Sequence, residues 1–167
     1  MAATRAEEML KVTRALVDRV PSMLAYFDAT LTCLFANRAY AAGMGIAVDE
    51  IAGMTMMDIL GPQRFAIRSA RIRHALEGQA QSFEDVDRRA GGGDRYVLIH
   101  YVPQKDGDRV IGFAVEISDI SELRHVELAL RDSEAKFRTL SESSPLGVFL
   151  ADAQGKRTYT NARWQQI

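Results

Sequence analysis

The chain repeats itself. A shift of 124 positions lays Arg14 on Arg138, Leu16 on Leu140, Pro21 on Pro145 and the dipeptide Asp28-Ala29 on Asp152-Ala153. The same shift carries Phe35 onto Tyr159, Asn37 onto Asn161 and Tyr40 onto Trp164, without a gap over 27 residues. A helix end, a proline, a hairpin aspartate and a capping asparagine held in register mark a tandem copy of one folding unit. The second copy reaches only to Ile167, where its helices should begin. Half a sheet cannot bury its apolar face, so the chain is expected to continue beyond that point.

Four segments follow from this frame. Residues 1–20 carry Ala6, Met9, Leu10, Thr13, Leu16, Val17 and Val20 at helical spacing, an amphipathic helix that Pro21 stops. Residues 21–119 form the complete unit, 120–144 a linker helix and 145–167 the truncated start of the second unit. Within the complete unit, Met23–Asp28 and Thr32–Ala36 read as strands joined in a hairpin. Asn37 can cap a short helix running through Tyr40. Between Gly43 and Gly61 recurrent glycines predict short helices at Asp49–Ala52 and Met56–Leu60. Pro62 can open a longer helix and Gly78 can end it. Three strands complete the unit, Gln81–Arg88, Arg95–Val102 and Arg109–Ser118. Their turns are Ala90-Gly91-Gly92-Gly93-Asp94 and Lys105-Asp106-Gly107-Asp108. Two strands, several helices, then three strands predict an α+β architecture: a five-stranded antiparallel sheet with helices on one face.

The linker helix places Leu123, Val126, Leu130, Ser133, Phe137 and Leu140 three and four residues apart, an a/d seam with one polar interruption. Asp119 and Glu122 have capping-box spacing, with Asp in place of the usual Ser or Thr. Asp119 both ends the last strand and caps this helix, so it is the expected joint for signal relay, with Leu123, Leu130 and Phe137 along the seam.

With these elements in place, residues 21–122 resemble a PAS domain. The resemblance is carried by PSMLAYFDATLTCLFANRAY, RHALEGQAQSFE, RYVLIHYVPQKDGDRVIGFAVEISDIS and the following ELRHVELALRDSEAKF. Asp119-Ile120-Ser121 is similar to the Asp-Ile-Thr signature with which PAS domains hand over to a signalling helix, Ser standing for Thr. The resemblance implies a sensory module of a bacterial histidine kinase, diguanylate cyclase or phosphodiesterase, with a small ligand or cofactor held between sheet and helices. If the register follows other PAS domains, strand alternation turns Phe113, Val115, Ile117, Val97, Ile99, Tyr101, Ala25, Phe27, Leu34 and Ala36 inward. Ile72 and Leu76 would close the top. The pocket candidates are therefore Phe27, Leu34, Ile72, Leu76, Ile99, Tyr101, Phe113 and Ile117, although plain core packing is the favoured reading for most of them. Tyr101 stands apart, because an inward phenol needs a hydrogen-bond partner. Leu24, Tyr26, Leu98 and His100 leave the other face partly apolar, and the helix of residues 4–20 is the expected cover, from the same chain or a partner.

Other chemistries find little support. Cys33 is the lone cysteine, so no intrachain disulfide forms. It sits in Thr-Cys-Leu-Phe on the outward side of a strand, unlike the helical Asn-Cys-Arg-Phe-Leu of flavin photoreceptors, and is expected to act as a small hydrophobe. His74 lies near the Gly78 end of its helix and does not fit a haem ligand. His125, in His-Val-Glu-Leu, lacks a phosphoacceptor motif. No metal site and no enzyme motif appears, and the cofactor remains unknown. Arg64, Arg68 and Arg71 could meet an anion, but a solvated helix face is the expectation. A net charge of −1 gives no basic field for nucleic acid or anionic lipid. No apolar run has the length of a signal peptide or membrane span, so a cytoplasmic location is expected. A homodimer through the N-terminal and linker helices is expected, with a small-molecule ligand as the other partner. The competing reading is a ligand-free dimerisation and spacing module.

Overall fold

The computed structural model describes residues 2–88 and 94–166 and divides into two compact units, residues 1–121 and 122–167. The expected turn at 90–94 lies, apart from Asp94, outside the described residues.

The first unit begins with helix α1 (Ala2–Val17). Strands β1 (Met23–Asp28) and β2 (Cys33–Ala36) form the hairpin, and helix α2 (Arg38–Met44) follows. The Asn37 side chain accepts from the Tyr40 N–H, satisfying one of the free donors of the first turn of α2. Residues 49–52 form turns instead of the expected short helix. Helix α3 (Met56–Leu76) opens on a Thr55–Asp58 capping box. It is kinked at Gly61 (φ 75°, ψ 160°), a conformation that needs glycine, with Pro62 restarting the helix. Strands β3 (Gln81–Arg88), β4 (Asp94–Asp106) and β5 (Arg109–Asp119) complete the sheet.

The sheet is five-stranded and antiparallel, in the order β2-β1-β5-β4-β3, so the fold is α+β as expected. Long-range pairing of β1 with β5 puts the first and last strands in the middle. There, a Cβ at Gly112 would collide with the Phe27 carbonyl and the Tyr26 ring, so the crossing admits only glycine. The inner face carries Ala25, Phe27, Val97, Ile99, Tyr101, Phe113, Val115 and Ile117, all buried, with Ile72 and Ala75 of α3 above them.

Three expectations are corrected here. Leu34 is 58% exposed and faces away from the core, whereas Cys33 is fully buried within it. A β-bulge is the cause: Tyr26 pairs with Phe35 but Phe27 pairs with Cys33, so Leu34 is an extra residue and the alternation slips by one. Secondly, α1 does not cover the sheet of its own chain, since Met9, Leu10, Val12 and Leu16 are all exposed. Thirdly, Asp119 Oδ1 accepts from the Ser121 N–H at 2.9 Å, a two-residue Asx contact one position short of capping-box geometry.

The second unit contains helix α4 (Ser121–Ser143), the hairpin β6 (Phe149–Ala151) and β7 (Arg157–Thr160), and a single 3-10 turn at Trp164–Gln166. Its hairpin repeats the bulge of the first: Leu150 pairs with Tyr159, then Ala151 with Arg157. The 124-residue shift seen in the sequence maps these pairs onto Tyr26–Phe35 and Phe27–Cys33.

Candidate ligand cleft

A cleft of about 710 Å³ lies between α3 and strands β3, β4 and β5. That volume falls within the range of small-molecule sites. Its apolar floor is Met23, Val97, Ile99 and Ile117, with Met44 at one side. Gln63, Arg64, Ile67 and Arg68 come from α3, and Glu84, Asp85, Val86 and Asp87 from β3. Arg95, at the start of β4, completes the wall.

Three arginines of α3 meet three alternate residues of β3. Arg64 Nη2 donates to Asp87 Oδ1 at 2.9 Å, and Arg68 Nη2 to Asp85 Oδ2 at 2.6 Å. The Arg71 guanidinium stands over the Phe83 ring, 4.2 Å from its centroid. The geometry matches because three or four helical residues advance about 4.5–6 Å while two strand residues advance about 6.6 Å. The expected solvated face is thus corrected: Arg68 is only 8% exposed, and the row of arginines latches α3 to the edge strand. Interior burial of a guanidinium requires such a carboxylate partner.

Tyr101 lies fully buried beside this latch, with the Arg68 guanidinium as its charged neighbour. Burial pushes the Tyr101 phenol above its ordinary value, and the neighbouring Arg68 partly offsets that shift. Tyr40, also buried, is raised far more, chiefly by desolvation. Arg95 links the cleft to the end of the sheet. Its Nη2 donates to Asp87 Oδ2 at 3.0 Å, and its Nε stands 3.8 Å from Asp119 Oδ2. Ser121 Oγ accepts from the Tyr96 N–H at 3.0 Å, fastening the same corner from the other side.

The sequence candidates separate into distinct places. Ile99 and Ile117 line the cleft. Phe27, Phe113 and Tyr101 form an aromatic cluster, with Phe27 6.1 Å from Phe113 and Tyr101 5.3 Å from Phe113 between ring centroids. Ile72 is buried with this core, and Leu76 packs half-buried against it. Leu34 is outside. Among the relay residues, Asp119 holds the strand end, Leu123 and Leu130 are exposed, and Phe137 packs edge-on against Tyr159 at 5.3 Å. Arg68 was weighed only as an anion contact on a solvated face, and Arg95, Asp85, Asp87 and Met23 were not among the candidates. The alternation Asp85, Asp87 opposite Val97 and Arg95 carried that signal, because it placed charge on the inward parity of β3.

Among the described residues no grouping of His, Cys, Asp and Glu could hold a metal ion, and no helix is long and apolar enough to cross a membrane. A family profile described as the PAS fold matches residues 17–125, and one described as the PAS domain matches residues 135–167.

The chain belongs to the PAS family. PAS domains are sensory, non-catalytic modules of signalling proteins. The fold is similar to that of the PAS domain of Bordetella pertussis BvgS, at 21% identity and a TM-score of 0.56, covering 77% of this chain and 98% of that one. It is also similar to a PAS domain from Colwellia psychrerythraea, at 16% identity and TM-score 0.55, covering 68% and 98%. The Vibrio cholerae VqmA dimer aligns at 18% identity and TM-score 0.56, covering 65% of this chain and half (50%) of VqmA. No curated protein sequence matches the chain. The PAS unit occupies the sheet, α2 and α3, so the cleft under α3 lies inside the matched region.

Proposed function

We propose that this chain is the sensory part of a multidomain bacterial signal-transduction protein, a histidine kinase or a cyclic-di-GMP enzyme. A small molecule enters the cleft under α3, and α4 passes the change to an output domain. The observation that carries this reading is Arg95, which lines the cleft and approaches Asp119 at the strand-to-helix joint. A ligand that engages Arg95 alters its hold on Asp119, and therefore binds two arrangements of the joint with different affinity. Without such a difference a ligand shifts nothing. Asp119, Leu123, Leu130 and Phe137 are the relay positions. Exposed apolar residues on α1 and α4 support pairing of two copies through those helices in the cytoplasm. VqmA, a neighbour in fold, is known as a dimer and in a complex with ligand and DNA.

The joint is tested with Asp119→Ala in the full-length protein. Loss of the Ser121 contact should cost about 1 kcal/mol and sharply reduce the output response to stimulus; a response of normal amplitude refutes this account of the joint. The densely packed aromatic cluster of Phe27, Tyr101 and Phe113 favours the other reading, a spacing module without ligand. Native mass spectrometry of freshly purified protein separates the two: a retained small molecule supports sensing, and uniformly bare protein supports the spacer.

A further inference from the structure

The charges that line the cleft cancel. Arg64, Arg68 and Arg95 stand among the carboxylates of Glu84, Asp85 and Asp87. Their pairing is internal to the wall. Arg68 meets Asp85 at 2.6 Å, and Asp87 is shared by Arg64 at 2.9 Å and Arg95 at 3.0 Å. Arg95 is held on its far side too, with Nε 3.8 Å from Asp119 Oδ2. Asp85 Oδ1 accepts from the Val86 N–H at 2.8 Å, and exposed Glu84 is engaged with a partner of its own. A ligand with a net charge would have to draw one member of an ion pair away from the other. The deserted group would then be left partly buried and unmatched, which is costly. The floor asks for no charge either, since Met23, Val97, Ile99 and Ile117 are all buried and apolar. At the mouth, Ile67 sits between Arg64 and Arg68 on α3 and is 69% exposed, apolar surface that an occupant would remove from water.

We infer that the cleft takes an uncharged small molecule with an apolar body, an inference that rests on the sensory reading given above. Burial of the body against the floor drives binding, and the ion-paired wall turns away charge of either sign. A single hydroxyl or carbonyl is accommodated at the mouth, where exposed Gln63 is the one uncharged polar side chain of the lining. Occupancy reaches the joint by packing, without a new ion pair. Met23 Sδ accepts from Arg95 Nη2 at 3.9 Å, so a body pressed onto Met23 displaces the residue that approaches Asp119.

The test uses the whole chain with three probes of one length, octan-1-ol, octanoate and octylamine. Titration calorimetry gives affinity, and methyl NMR of Val97, Ile99 and Ile117 shows whether a probe enters the cleft. Octan-1-ol should move those methyl resonances, and octanoate and octylamine should both bind about tenfold more weakly. Because the rejection belongs to the wall, unbalancing the wall should change it. Asp87→Asn strips Arg64 and Arg95 of their shared carboxylate and should tighten octanoate about tenfold relative to octan-1-ol. If that variant loosens the fold, Arg64→Gln on the more exposed side of the pair gives the converse, with octylamine gaining about threefold relative to octan-1-ol. Octanoate or octylamine binding as tightly as octan-1-ol to the unaltered protein overturns the uncharged class but leaves a ligand-binding cleft. A preference that neither variant shifts also overturns it, since simple partitioning into an apolar surface would give the same ranking. So does octan-1-ol that leaves the three methyls unmoved, or binding by none of the probes. In that last case the sensory reading itself still rests on the native mass spectrometry.

Discussion

The molecule builds one corner twice, and the two copies differ in what surrounds them. In the first, fully buried Asn37 ties three chain segments together. Its Oδ1 accepts from the N–H groups of Leu24 and Tyr40, and its Nδ2 donates to the carbonyls of Val17 and Ser22. In the second, Asn161 makes the same four bonds, accepting from Val148 and Trp164 and donating to Ser141 and Leu146. Each asparagine thus pins the end of the preceding helix to the hairpin and caps the next helical turn. The first corner sits on a complete sheet, with Tyr40 and Cys33 sealed into its core. The second has no such core. There Arg157 replaces Cys33, and Tyr159 adds polar bonds of 2.6 Å to Ser141 and 3.0 Å to Glu142. The lesson is that this corner is specified locally, by side-chain-to-backbone bonds that do not depend on the rest of the sheet.

Removing the hubs should break that equivalence most strongly. Asn37→Ala leaves two donors and two acceptors of the first corner without their partner, at an expected cost of about 3 kcal/mol in urea denaturation. Asn161→Ala should leave that main transition in place and instead abolish amide-exchange protection at Val148 and Trp164. If Asn37→Ala unfolds no more easily than the parent, the corner is not what holds the first unit together.

A smaller contrast lies in the hairpin turns. Leu31 has φ 66°, and Gly155, its equivalent, has φ 80°. The left-handed region disfavours any residue with a Cβ, so Leu31→Gly should be more stable than Leu31→Ala by about 1 kcal/mol. By the same rule Gly155→Ala should cost about 1 kcal/mol, read as faster exchange at Asp152. Equal stabilities of the two Leu31 variants would mean that the turn relaxes in solution.

The smallest effect is electrostatic. Asp28 Oδ1 accepts from the N–H groups of Thr30 and Thr32, as Asp152 Oδ1 does from Gln154 and Lys156. The Thr30 hydroxyl adds a third bond and is the main reason that the Asp28 carboxyl is held below its ordinary value. A depressed carboxylate contributes stability that is present above about pH 4 and is lost as pH falls through the folded-state value. The stability gap between the parent and Thr30→Ala should therefore be full at neutral pH and close on acidification, as followed by circular dichroism. Gln154→Ala in the second hairpin should show no such gap.

Much of this was legible in the sequence, for definite reasons. Strict alternation fixes the inward residues of β4 and β5, because those strands pair over long regular stretches. The repeat identifies both corners, because Pro21, Asp28 and Asn37 each have a geometric duty that their equivalents share. Cys33 and Leu34 are exchanged because the bulge opposite Phe27 leaves no mark in so short a strand. The cleft itself was hidden for another reason. Arg64, Arg68 and Arg71 carry the charge of a solvent-facing stripe, and only the tertiary pairing with Phe83, Asp85 and Asp87 ties that stripe to β3 and buries Arg68. Nothing local to either segment announces the match.

The central position of β1 beside β5 has one further consequence. The residues where the path enters and leaves the first unit are neighbours, with Ser22 Oγ 3.1 Å from Ser118 Oγ. A module wired this way can be threaded into a longer polypeptide like a bead whose two holes lie side by side. Torque delivered at one hole reaches the other through a single pair of adjacent strands, with no need to cross the interior.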